Sequence, residues 1–188
     1  MKKLATTLFA TLALAASAFA NAAEYAIDVK GAHAFINFKA SHLGYSWLTG
    51  RFNKFDGSFT YDEKNPSASK ITVNIDPASI DSNHAERDKH LRSDDFLSVD
   101  KFPKSKFVST KITDKGDNKL EVVGDFTLHG VTRSIVIDAV KVGEGKDPWG
   151  GYRAGFAGTT TINVADYDFK NDWVGNVELE LHIEGIRK

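Results

Sequence analysis

From residue 33 onward, apolar and polar residues alternate two apart along most of the chain. Ile36, Phe38, Ala40 and His42 fall on one face of a strand, with Asn37, Lys39 and Ser41 on the other. Leu48, Gly50 and Phe52 align in the same way. Phe55, Gly57, Phe59 and Tyr61 also align, but on the opposite parity. A long strand over Trp47–Tyr61 with one inserted residue near Asn53-Lys54 accounts for both sets, because a β-bulge switches the face. Further strands are marked by Ile71, Val73 and Ile75; by Leu120, Val122, Phe126 and Leu128; by Ile135, Ile137 and Ala139; by Tyr152, Ala154, Phe156 and Ile162; and by Val177, Leu179, Leu181 and Ile183. Over Ser105–Lys111 the parity sets Phe107 on one face and Val108, Thr110 and Ile112 on the other. Turn residues separate these runs at Gly44-Tyr45-Ser46, Asn65-Pro66, Lys115–Asn118 and His129-Gly130, with a longer loop over Gly143–Gly151.

The pattern therefore predicts about eight strands joined mainly by turns, an antiparallel arrangement since crossover helices are missing. Such regular strands must hide their edges, and glycines within them (Gly50, Gly57, Gly124, Gly158) suit a sheet that curves until it closes. One stretch breaks the alternation. Residues 81–103 read as a short charged helix, with Asn83 as cap, Glu86 at the capping-box spacing and Pro103 as the stop. Only Ala85 and Leu91 are apolar before Phe96 and Leu97, so this helix is expected to lie across a barrel end with Leu91, Phe96 and Leu97 pointing down.

Composition adds limits. Lys2 and Lys3, an apolar run from Leu4 to Leu14 and Ala20-Asn21-Ala22 read as a cleavable export signal over residues 1–22, leaving 23–188 as a single domain. The formal charge of −1 does not suit a nucleic-acid partner. Without cysteine there is no thiol catalysis and no cysteine zinc site. No second apolar run reaches membrane-spanning length. Neither G-x-S-x-G nor H-E-x-x-H occurs, and the reading is a binding protein, not an enzyme, with no cofactor and no metal centre. In the helix, His84 and Asp88, Glu86 and His90, and Asp88 and Arg92 have ion-pair spacing. The first two pairs point nearly opposite ways and cannot share one ion. Arg87, Lys89 and Arg92 could attract a phosphate, or form an ordinary solvated face. Arg153, beside Trp149, is expected in a structural salt bridge.

Four stretches carry a resemblance to a known family: His33–Phe38 with His42-Leu43-Gly44; Glu86–Leu97; Gly124–Thr132; and Asp147–Phe156. In that order, and over essentially all of the chain after residue 22, they resemble the YceI-like family of exported lipocalin-like proteins that bind polyisoprenoids. The resemblance implies an all-β fold: an extended eight-stranded antiparallel β-barrel with one short α-helix near a barrel end. It also implies a periplasmic protein holding a polyisoprenoid or similar long-chain lipid in an apolar tunnel, and often a homodimer. The residues expected to line that tunnel are Ile36, Phe38, Leu48, Phe52, Phe59, Val73, Phe107, Phe126 and Phe156, with Leu91 and Phe96 at the helix end. The alternatives are an isoprenoid-modifying enzyme on the same barrel, or a ligand-free structural or stress protein in which these residues form a filled core. His42, on the face of Ile36 and Phe38, could hydrogen-bond a ligand's head group or serve as a histidine at the barrel end.

Overall fold

The alternating runs form eleven strand segments: β1 (Ala23–Ile27), β2 (Phe35–His42), β3 (Ser46–Phe52), β4 (Phe55–Tyr61), β5 (Lys70–Ile75), β6 (Ile80–Asp81), β7 (Ser105–Gly116), β8 (Lys119–Leu128), β9 (Val131–Lys146), β10 (Tyr152–Asn163) and β11 (Asn176–Arg187). The structure is a computed structural model that describes residues 22–188. The export signal expected over residues 1–22 falls, up to residue 21, outside the described residues. Among the described residues no helix is long and apolar enough to cross a membrane.

The segments make a closed antiparallel barrel of eight staves. The first three staves are each broken in the middle. β1 and β2 both pair with β11, Tyr25 opposite Arg187 and Phe38 opposite Leu179. β4 and β3 pair in turn with β1 and β2, and β5 and β6 pair with β4 and β3. The remaining five strands run unbroken around the wall, and β11 closes on β1. The expected single strand over 47–61 is thus two segments. The break at Asn53-Lys54 lies beside the turn Pro77–Ser79, where Asn53 N donates to Ser79 O at 3.1 Å and Lys54 N to Ser79 Oγ at 2.9 Å. The parity does switch there: Leu48, Gly50 and Phe52 face inward before it, Phe59 and Tyr61 after it.

Two other expectations are corrected. Ile112 faces the interior with Phe107, not the opposite side, because the β7–β8 register shifts between Ser109 and Lys111 and the extra residue flips the parity. The loop expected over 143–151 is shorter, since β9 pairs with β10 as far as Lys146. At His129-Gly130 the hairpin has φ of 52° and 78°, the left-handed pair that a tight two-residue turn needs.

The helix α1 spans Ala85–Arg92 and follows β6. Its cap is His84, not Asn83: His84 Nδ1 accepts from Arg87 N at 3.2 Å, while Asn83 takes a left-handed φ of 62° one residue earlier. Glu86 therefore sits too early in the helix to complete a capping box. The helix stops at Ser93, well before Pro103, and turns carry the chain on to β7.

Candidate functional site

The inward faces of the staves do not meet at the centre. They enclose an elongated cavity of about 450 Å³ with an almost wholly apolar lining. That volume lies within the range of pockets that enclose a small molecule. Phe38, Phe59, Val73, Phe107 and Phe126 come from five different staves, are each buried, and all face the cavity. Phe59 stacks on Tyr25 with ring centroids 4.9 Å apart and meets Phe156 edge-on at 5.4 Å. Phe38 and Phe52 are tilted at 5.9 Å.

Close backbone approach makes room for some of these rings. A Cβ on Gly124 would lie 2.4 Å from the Phe107 ring, and one on Gly50 equally near Phe38. The strand glycines at 50 and 124 therefore seat cavity-lining aromatics, beyond merely easing curvature.

Every residue expected to line the tunnel borders this cavity: Ile36, Phe38, Leu48, Phe52, Phe59, Val73, Phe107, Phe126 and Phe156 on the wall, Leu91 and Phe96 under the helix, and His42 at the rim. His42 is exposed, so it belongs to the mouth. Arg87 and His90 of α1 join it there. These three are the titratable side chains of the lining, apart from Tyr61 at the other end, so its charge-bearing polarity is concentrated at one end.

Several lining residues had no signal in the sequence. Phe169, Trp173 and Val174 come from the β10–β11 connection, which has no periodicity. Ile112 was hidden by the bulge. The hydroxyls of Ser69 and Ser105 also face the cavity, and each Oγ lacks a hydrogen-bond partner among the described residues.

The helix is fastened differently from its sequence spacing. None of the expected pairs four residues apart forms. Asp88 is buried and accepts from both Ser82 N (2.8 Å) and Ser82 Oγ. Arg87 Nε donates to the same Ser82 Oγ at 2.7 Å. Arg92 donates to Ile80 O, and Lys89 is exposed. His90 meets Asp95 at 3.1 Å and packs edge-on against Phe96. Asp95 also pairs with Lys170, and its backbone carbonyl accepts from Asn171 Nδ2 at 2.9 Å. The Lys170 ammonium is the main cause that holds the Asp95 carboxyl below its ordinary value. The helix side of the mouth is thereby latched to the β10–β11 connection.

Further along the barrel, Arg153 binds three carboxylates: Asp28 at 2.6 Å, Glu184 at 2.6 Å and Asp147 at 2.9 Å. Asp28 is 5% exposed and occupies the start of the break between β1 and β2. It accepts from Gly31 N at 2.8 Å and meets His33 Nδ1 at 3.0 Å. The His33 hydrogen bond, then the Arg153 guanidinium, depress its carboxyl to about 2 against the opposing effect of burial. Asp28, His33 and Glu184 are close enough to one another for metal ligation. Arg153 already occupies their oxygens, so the cluster is a salt bridge, as expected for Arg153.

A closed antiparallel barrel with a capped end and an apolar chamber defines the class: a β-barrel built around an interior space, the architecture that can hold one small apolar ligand. The chain belongs to the YceI-like family, whose domain model matches residues 25–185. A UPF0312 protein of Vibrio vulnificus is 56% identical over 189 residues, covering 100% of both chains. Among solved structures, the Campylobacter jejuni YceI protein is 28% identical with a TM-score of 0.71, covering 79% of this chain and 90% of that one. A polyisoprenoid-binding domain from Saccharophagus degradans shares the fold at 15% identity and a TM-score of 0.66, over 89% of this chain and 99% of that one.

Proposed function

We propose that this protein is a periplasmic carrier that holds one long apolar polyisoprenoid-type lipid, such as a quinone side chain or a polyprenyl phosphate, in its barrel. The observation that carries the reading is the continuous apolar cavity of about 450 Å³ running beneath α1. A core that served stability alone would be filled, since protein interiors pack to the density of organic crystals. The similarity in fold to a domain described as polyisoprenoid-binding supports the same reading.

Binding works by burial. Apolar surface removed from water contributes about 25 cal/mol per Å² and makes little demand on orientation. The prenyl chain occupies the aromatic interior, including Phe38, Phe59, Phe107 and Phe126. The head group stays at the mouth beside His42, Arg87 and His90, where the polar side chains are. Residues 1–22 direct export and are removed, and the exported chain forms a homodimer.

Native mass spectrometry of the protein recovered from the periplasm, with the lipid identified after denaturation, tests the reading. The expected mass is two chains without their leaders plus one prenyl lipid per chain. A protein that carries no lipid, and takes none up from detergent-dispersed polyprenol, overturns it.

A further inference from the structure

At the mouth the barrel carries an overhanging tip. β2 pairs with β11 only as far as Ala40, yet its pairing with β3 continues to His42 opposite Ser46. The hairpin therefore projects past the β11 edge by about 10 Å, at roughly 3.3 Å per residue. Its turn is tight: Tyr45 N donates to His42 O at 2.9 Å, and Ser41 Oγ accepts from Gly44 N at 3.2 Å. Leu43 and Gly44 hold left-handed φ of 53° and 78°.

Turns of this kind favour Asn-Gly, because asparagine tolerates the left-handed region and a bulky side chain does so poorly. Folding alone therefore does not account for leucine at the first position. The side chains on display are Leu43 at 61% exposed, Tyr45 at 87% and Trp47 at 65%. Beside them stands Trp173, 60% exposed, on a turn of the β10–β11 connection that packs against β2. Trp173 also borders the cavity.

The stretch from His42 to Thr49 contains no Asp, Glu, Lys or Arg. Of the hairpins at the opposite end of the barrel, one reads Lys115-Gly116-Asp117-Asn118, a charged and ordinary turn. Another, between β9 and β10, exposes Trp149, but with the Arg153 guanidinium 5.3 Å from its ring centroid. The Leu43–Trp47 turn carries no Asp, Glu, Lys or Arg, is apolar and aromatic, and overhangs the cavity mouth. The charged groups of that mouth, Arg87 and the Asp95–Lys170 pair, belong to the helix side and the β10–β11 connection.

We propose that the Leu43–Trp47 hairpin, with Trp173, is a bilayer-docking tip that inserts at the headgroup–acyl boundary and sets the barrel mouth against the membrane. Leucine partitions into the acyl region, and tyrosine and tryptophan favour the interface, where one edge of the ring is apolar and the other wet. An uncharged tip enters without burying a charge, so docking is driven by apolar burial and not by attraction to anionic lipid. Lys39, whose ammonium sits 4.9 Å from the Trp47 ring centroid and pairs with Glu178, marks where the inserted surface ends. The inference rests on the carrier reading, since it supplies that carrier with a route along which a prenyl chain passes between bilayer and barrel without crossing water.

The test is co-sedimentation of the full exported chain with vesicles of phosphatidylcholine, and of equal parts phosphatidylcholine and phosphatidylglycerol, together with tryptophan emission. The wild type is expected to bind both, with a blue shift, and to lose little when salt is raised from about 0.1 to about 1 M. Leu43→Asn with Tyr45→Ser should weaken partition about tenfold. Leu43→Asn suits the turn, so folding is retained, and circular dichroism checks it. Trp47→Ser provides a second, independent loss.

Uptake of polyprenol from detergent should stay unchanged in these variants, while lipid transfer between vesicles slows. Partition that is insensitive to all three substitutions, or that collapses in high salt, overturns the docking. So does a tip that pairs with a second copy instead: the variants would then lower the mass in light scattering and leave partition intact. Wild-type partition that depends on the tip in a protein unable to take up polyprenol sustains the docking and sinks the carrier reading alone.

Discussion

Arg153 fastens three separate elements through one guanidinium: the β1 end through Asp28, the β9–β10 loop through Asp147 and β11 through Glu184. Removing it leaves the buried Asp28 carboxylate with His33 alone as its side-chain partner, and Arg153→Ala is expected to lower the urea midpoint of unfolding. The pH dependence follows from Asp28, whose carboxyl is depressed from 3.8 to about 2. A depressed carboxyl stabilises the fold fully above its ordinary value and ceases to do so as pH falls through its folded value. The stability gap between wild type and Asp28→Asn should therefore be constant near neutrality and close between about pH 4 and pH 2. Gly124 offers a second residue-scale check. Its Cβ would strike the Phe107 ring and the Val108 carbonyl oxygen, so Gly124→Ala should cost about 1–3 kcal/mol in thermal unfolding and weaken lipid uptake by displacing the ring.

At the scale of the element, α1 is held less by its own sequence than by what it touches. An eight-residue helix is marginal alone. Here Asp88 ties it to Ser82, and Leu91 and Phe96 sit over the cavity. The latch of Asp95 to Lys170 joins that end to the connection before β11. Leu91→Ala with Phe96→Ala removes the apolar underside while leaving these polar ties. The expected outcome is release of a bound fluorescent prenyl lipid about tenfold faster or more, measured by competition, at a stability cost per site below the roughly 2–5 kcal/mol of a fully buried truncation, since both side chains are half-buried. Unchanged release kinetics would show that the helix does not cover the route out.

For the whole molecule, the length of the chamber limits affinity. An apolar chamber of about 450 Å³ gains affinity from each added isoprene unit only until the chain reaches its inner end. Titration with prenyl alcohols of increasing length should give affinities that rise by several-fold per unit and then level off, since each buried methylene contributes at most about 0.8 kcal/mol. Affinity independent of length would contradict burial as the mechanism. The level at which the rise stops measures the usable length of the barrel.

The strands and the residues that share a face were legible from parity, because a side chain two positions on must face the same side of a sheet. Closure was legible only from the strand glycines and the need to hide edges. The switch at Asn53-Lys54 was legible for the same reason: apolar residues on both sides of it had to reach one interior. The Ile112 switch was not, since Val108 and Thr110 kept an unbroken alternation across the bulge. Helix spacing told which charges could meet within α1, but not that Asp88 would instead turn to Ser82 or His90 to Asp95. Those partners lie outside the helix, and their hydrogen bonds replace ion pairs that are weak on a solvated face. The sequence by itself determined a barrel with an apolar inward face. Whether that face met itself as a filled core or stood back around a chamber was decided only by tertiary structure, because the spacing between opposite walls depends on how eight staves close, and no local pattern encodes it.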